Sequence, residues 1–110
     1  MRIVYAAGPF RTLDPKQRAA HVLTAQAAAV DLARLGYACY CPHANLGHAF
    51  GAIDEGTAAR INTTFLRLCD ALLLLPGWGE SVGTRAELTE AKALGLPVFE
   101  SLHEVRAWRR

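Results

Sequence analysis

With 110 residues, 52% of them hydrophobic and 20% charged, the chain can bury one core but has no room for a separate substrate domain, so a single domain over 1–110 is expected. A formal net charge of +2 is too slight to argue for nucleic acid, and Arg106, Arg109 and Arg110 read as a solvated cationic helix end. Three cysteines, Cys39, Cys41 and Cys69, form no metal-type repeat and suit a reducing cytoplasm rather than a disulfide framework. No apolar run is long enough for a signal peptide or a membrane span.

In chain order, Arg2 to Ala7 is continuously apolar after its first residue, as a strand buried on both faces requires, and Gly8-Pro9 ends it. Asp14-Pro15 supplies a helix cap followed by proline in the first turn. The helix should run to about Leu35, packing through Leu23, Ala27 and Val30 and stopping at Gly36. Tyr37 to Cys41 is a second strand, in which Cys39 and Cys41 are expected on opposite faces, as small buried hydrophobes rather than partners in a metal site. His43 to Asp54 reads as a loop, long enough to suggest a functional role.

A helix from roughly Asp54 to Leu68 leads into the apolar strand Asp70 to Leu75, broken by Pro76-Gly77-Trp78-Gly79. A helix from about Gly83 to Leu94, a short strand Pro97 to Phe99 and a helix Leu102 to Trp108 complete the chain. Strands alternating with helices imply an α/β fold: a flavodoxin-like or Rossmann-like three-layer sandwich around a short parallel sheet of four to five strands. Ligands in such sheets bind beyond the C-terminal strand ends, which directs attention to Gly8–Thr12, Cys41–Asp54 and Pro76–Thr84.

The last of these loops carries Gly77, Gly79 and Gly83 with Ser81 and Thr84, directly before a helix whose first amides are free to bind an anion. Glu87 is placed in the first turn of that helix, where the dipole favours the ionised form. Local spacing fits two roles for it equally: capping-box partner of Thr84, or nucleophile. A carboxylate suits attack at an anomeric carbon, because it stabilises an oxocarbenium-like transition state and can form a glycosyl ester. Asp54, Glu55, Asp70, Glu80, His43 and His48 are candidates for a second, acid/base group, and Glu90 reads as a solvated acid. Gly8 would let a ligand approach the backbone, and Arg11 is either a phosphate partner or an exposed cation. Tyr5 fits the site or the core; Trp78 fits a base-stacking surface, a hydrophobic lid or a subunit contact. His43 and His48 lack a third ligand at metal spacing, so no zinc is expected, and no cofactor.

Tyr5-Ala6-Ala7-Gly8-Pro9-Phe10, Asp70 to Leu75, and Ser81-x-Gly83-Thr84-x-x-Glu87 followed by Ala91 and Gly95-Leu96-Pro97-Val98 together resemble the nucleoside 2-deoxyribosyltransferase superfamily, across nearly the whole chain and in the same order. The similarity is strongest to short phage and bacterial members with a Leu-Pro-Gly-Trp segment, matched by Leu75 to Trp78. The resemblance implies a flavodoxin-like sheet, Glu87 as a nucleophile forming a covalent deoxyribosyl intermediate, and Tyr5 orienting that carboxylate. Ser81 and Arg11 match positions that the related 2'-deoxynucleoside 5'-monophosphate hydrolases use, which leans towards a monophosphate substrate. Asn62 departs from the family, which has a catalytic aspartate there, and an amide cannot donate a proton at neutral pH.

The expected activity is therefore hydrolysis or transfer at the N-glycosidic bond of a nucleoside or nucleoside 5'-monophosphate, with His43, Trp78, Ser81 and Gly83 beside Gly8 and Arg11 on the substrate. The rivals are a phosphoribohydrolase of the cytokinin-activating type, whose Pro-Gly-Gly-x-Gly-Thr-x-x-Glu motif resembles Pro76 to Glu87, and a non-catalytic nucleotide-binding module. The expected partners are the small molecule and further copies of the chain, as a dimer or larger homo-oligomer, with neither nucleic acid nor membrane.

Overall fold

Four parallel strands, β1 (Ile3–Ala7), β2 (Ala38–Tyr40), β3 (Ala71–Leu74) and β4 (Val98–Phe99), pair in the order β2-β1-β3-β4. The structure, a computed structural model, describes residues 1–10, 14–46 and 51–108. β1 and β3 form the centre, with Tyr5 opposite Leu72 and Ala7 opposite Leu74. Both are apolar throughout because each face is covered. Val4, Ala6, Leu73 and Leu75 join one core cluster, and Tyr5, Ala7, Leu72 and Leu74 join the other. Helices α1 (Pro15–Arg34) and α5 (Leu102–Arg106) cover the first face through Ala25, Ala28, Leu32 and Val105. Helices α3 (Glu55–Leu66) and α4 (Val82–Ala93) cover the second through Leu66 and Ala91. This is the three-layer, flavodoxin-like arrangement the alternating pattern implies.

Local chemistry sets the helix ends. Asp14 Oδ1 accepts from the Lys16 amide at 2.9 Å, with Pro15 in the first turn. At the other end of α1, Gly36 adopts φ +93° and the Tyr37 amide reaches back to the Leu32 carbonyl at 3.0 Å. Gly95 repeats this after α4, with φ +73° and a 3.0 Å bond from the Leu96 amide to Ala91.

Two expectations are corrected. The stripe Leu23, Ala27 and Val30 of α1 faces outward, Leu23 being 65% and Val30 50% exposed. Alanine occupies so much of this helix that its apolar periodicity is weak, and the sheet takes the face whose small side chains allow close approach. The stretch expected to be a loop from His43 begins instead as a short helix, α2 (Pro42–Leu46), with proline at the start, where its missing N–H costs nothing. A third expectation also fails: Cys39 and Cys41, expected on opposite faces, pack into the same cluster, because residues two apart along a strand share a face. Among the described residues no helix is long and apolar enough to cross a membrane.

Candidate active site

The chain runs from β1 outward to β2, then returns across β1 to β3, so the loops leaving β1 and β3 diverge at their C-terminal ends. A cavity of about 860 Å³ opens there. Gly8, Pro9 and Phe10 line it from the end of β1, and Pro42 and His43 from α2. Ala58, Ala59, Asn62 and Thr63 of α3 face it, as do Ser81, Gly83, Thr84 and Glu87 around α4.

Tyr5 lies wholly buried on the α3/α4 face of β1, and its hydroxyl donates a hydrogen bond to Glu87 Oε2. The Tyr40 ring packs against it at 5.3 Å, and Phe65 stacks on Tyr40 at 4.4 Å, fixing the phenol from the side. Glu87 is not in the first turn of α4. The Ser81 hydroxyl accepts from the Thr84 amide at 3.2 Å, so the helix starts at Val82, and Thr84 is buried inside the first turn rather than capping it. Glu87 falls in the second turn with its carboxyl turned inward. Burial, rather than the dipole, dominates its titration: desolvation pushes its pKa up from 4.5 to about 7, against the lowering effect of the Tyr5 hydrogen bond. Burial and the neighbouring Glu87 charge raise the Tyr5 hydroxyl, so it keeps its proton and stays a donor. A buried carboxyl that changes charge near neutrality, held by a fixed donor, is equipped to attack an electrophilic carbon or to exchange a proton.

Three further side chains in the lining leave a buried polar atom without a hydrogen-bond partner among the described residues: His43 Nδ1, Asn62 Oδ1 and Thr84 Oγ1. His43 is 4% exposed, and its Nε2 lies 2.8 Å from the Pro9 carbonyl, with the Phe10 ring edge-on at 5.2 Å. Desolvation lowers its pKa, outweighing the raising effect of the Pro9 carbonyl. Native structures seldom leave such groups unpaired, so a polar ligand or ordered water in the cavity would satisfy them. Four carboxylates also face it, Glu55, Glu80, Glu87 and Glu90, and no lysine or arginine does among the described residues.

Residues 2–100 match the family described as "Domain of unknown function (DUF4406)". The chain belongs to that family. DUF4406 is associated with the nucleoside 2-deoxyribosyltransferase superfamily, the one the sequence resembles. The solved structure of a 2-deoxyribosyltransferase from the psychrotolerant bacterium Bacillus psychrosaccharolyticus shares the fold of this DUF4406 chain, with a TM-score of 0.65 over 97% of this chain and 92% of that one at 18% identity. No curated protein matches the sequence.

Of the residues singled out in the sequence, the cavity brings together Gly8, His43, Asn62, Ser81, Gly83 and Glu87, with Tyr5 reaching it from beneath through Glu87. Trp78 is absent from the lining: it stands in a 3₁₀ turn (Trp78–Glu80) and packs against the cluster of Tyr5, Leu66 and Ala91. Gly8 serves packing as well as access, because a Cβ there would lie 2.8 Å from Leu75 Cβ. Arg11 and His48 lie outside the described residues, as do Arg109 and Arg110. Asp54 caps α3, its carboxylate accepting from the Thr57 amide and hydroxyl at 2.8 Å each; these bonds lower its pKa, and it does not face the cavity. Asp70 sits at the opposite end of the sheet, bonded to the Ile3 amide at 2.7 Å. Glu90, expected in solvent, borders the cavity and pairs with Arg67 at 3.3 Å, tying α4 to the end of α3. Pro9 and Thr84 escaped sequence reasoning as site residues, since their contributions, a carbonyl and a buried hydroxyl, arise only from tertiary packing. No group of three or more His, Cys, Asp or Glu among the described residues is placed to hold a metal ion.

Proposed function

We propose that this protein cleaves the N-glycosidic bond of a nucleoside or nucleoside 5'-monophosphate carrying a 2'-deoxy sugar, with Glu87 as the nucleophile. The observation that carries the reading is the hydrogen bond from buried Tyr5 to Glu87 at the foot of a cavity at the β1/β3 crossover. The ionised carboxylate attacks the anomeric carbon as the C–N bond breaks, and the bonding pair leaves with the base. With an amide at position 62, the base takes its proton from water in the open cavity. Water or a second base then attacks the same carbon and frees Glu87, giving hydrolysis or transfer. Ser81 keeps its hydroxyl hydrogen for a ligand even as its oxygen caps α4, and Gly83 leaves the helix entrance open. In the same reading the protein works in a reducing compartment as a homo-oligomer.

Incubation with a panel of 2'-deoxynucleosides and their 5'-monophosphates, with free base followed by chromatography, tests this. Base release that disappears in Glu87→Ala, with a deoxyribosyl mass adduct on Glu87 of the wild type, is the expected result; absence of release from every compound removes the reading. Asn62 favours one rival, a binding module that kept the fold and lost the chemistry. In that case a nucleoside raises the melting temperature without being turned over.

A further inference from the structure

We infer that His43 is a specificity-determining residue whose bare Nδ1 accepts a hydrogen bond from an N–H or O–H donor of the ligand, with Asn62 Oδ1 as a second acceptor in the same cavity. The inference rests on the reading of this cavity as a nucleoside site. It begins with the backbone of β1: Gly8 packs against Leu75 and delivers the Pro9 carbonyl to His43 Nε2 at 2.8 Å. A carbonyl has no proton to give, so Nε2 carries the hydrogen and donates it. The buried ring is held neutral, and the neutral tautomer so fixed leaves Nδ1 with a lone pair and no hydrogen.

Among the described residues that lone pair is buried and unpartnered, and so is Asn62 Oδ1, and both side chains belong to the cavity lining. Both are acceptors, and so are the ionised oxygens of a phosphate or carboxylate, which cannot satisfy either one. The amino group of a base or a hydroxyl of a sugar can. A site with buried acceptors rejects the analogue that lacks the donor, because the acceptor is then left unpaired.

The test measures affinity calorimetrically in a Glu87→Gln background, where turnover does not interfere. The probes are 2'-deoxyadenosine, its analogue without the 6-amino group, and 2',3'-dideoxyadenosine, which separate a base donor from a sugar donor. One deletion is expected to weaken binding by about tenfold. Adding His43→Gln keeps an amide donor for the Pro9 carbonyl but removes the Nδ1 acceptor, and should bring the ratio to within about twofold. Adding His43→Asn gives up the Pro9 bond but places an amide oxygen near the Nδ1 position, and should preserve the ratio. A purely structural role for His43 predicts the reverse ranking of the two variants. Equal binding of all three probes, an unchanged ratio in His43→Gln, or no binding by any probe overturns the inference. Discrimination in binding without wild-type turnover leaves it standing and removes the glycosidase reading; turnover without discrimination does the opposite.

Discussion

Tyr5 and Glu87, 82 positions apart in the chain, meet through one hydrogen bond beneath the cavity, the phenol donating and the carboxylate accepting. The pair opposes two effects: burial favours the neutral acid, and the phenol favours the ion. Burial wins, and the carboxyl titrates near 7 rather than 4.5. Between those values the folded protein holds a proton that the unfolded chain has lost, so stability falls as pH rises through that window. At roughly 1.4 kcal/mol per pH unit, ionising Glu87 in place costs on the order of 3 kcal/mol. Glu87→Gln, which has nothing to ionise, should lose less stability than the wild type between pH 4.5 and 7 and be the more stable of the two above pH 7. Parallel stability curves from denaturant unfolding at several pH values would show that Glu87 titrates as an ordinary surface acid.

Because the ionised carboxylate attacks in the proposed mechanism, kcat/KM should climb with pH and level off above about 7. Tyr5→Phe removes the hydrogen bond that lowers the Glu87 pKa, so the midpoint moves to higher pH. Loss of a hydrogen bond to a charged group should also reduce kcat/KM at neutrality by about 10- to 100-fold. A pH–rate profile for both proteins reads the two effects together. A lower rate with an unmoved midpoint would mean that Tyr5 supports the fold around Glu87 without acting on its charge.

The architecture was legible because its signals are local and redundant. β1 and β3 are apolar on both faces, and Asp14-Pro15, Gly36 and Gly95 each declare a helix end through their own backbone chemistry. The packing face of α1 was not, because a helix rich in alanine offers several equivalent stripes and only the sheet chooses between them. The entrance to α4 misled for a related reason. Ser81 and Thr84 are both hydroxyls able to cap a helix, and the choice is made by the burial of Thr84, which is a tertiary fact. Placing the cap at Ser81 moves Glu87 from the first turn to the second, and burial of its carboxyl, which the sequence does not show, raises its pKa. The Pro9–His43 contact joins segments 34 positions apart and has no sequence signature at all.

Gly8 marks where the strand end and the site depend on one another. A methyl at this position would sit 2.8 Å from Leu75 Cβ, whose own position is fixed by β3. Gly8→Ala should therefore destabilise the fold by about 1–3 kcal/mol through overpacking. It should also weaken ligand binding, since the displaced backbone carries the Pro9 carbonyl away from His43. Chemical denaturation and a binding titration on the same variant check both; unchanged stability would show that Leu75 yields without strain.

Asn62 stands where the resembled family has an acid/base aspartate, and its side chain borders the same cavity as Glu87. Asn62→Asp should raise kcat at least tenfold by giving the departing base a proton donor, and should add a falling limb at high pH, where the new acid has lost its proton. The same change should leave the mass of any Glu87 adduct untouched. A rate that does not rise means that departure of the base is not the slow step.

The charge around the cavity bears on the substrate's 5' end. The sequence pattern of Arg11 and Ser81 leans towards a monophosphate, yet among the described residues the lining holds Glu55, Glu80, Glu87 and Glu90 and no lysine or arginine, Arg67 beside it being paired with Glu90, and its unpaired atoms include two acceptors. A doubly charged phosphate entering this field meets like charge, while an uncharged nucleoside does not. The expected outcome is a kcat/KM for a 2'-deoxynucleoside about tenfold or more above that for its 5'-monophosphate, with the gap narrowing as salt screens the carboxylates. Glu80→Gln should narrow it as well, whereas Arg11→Ala should leave nucleoside turnover unchanged. Preferred turnover of the monophosphate, abolished in Arg11→Ala, would restore the nucleotide reading and show that Arg11 overrides the four carboxylates.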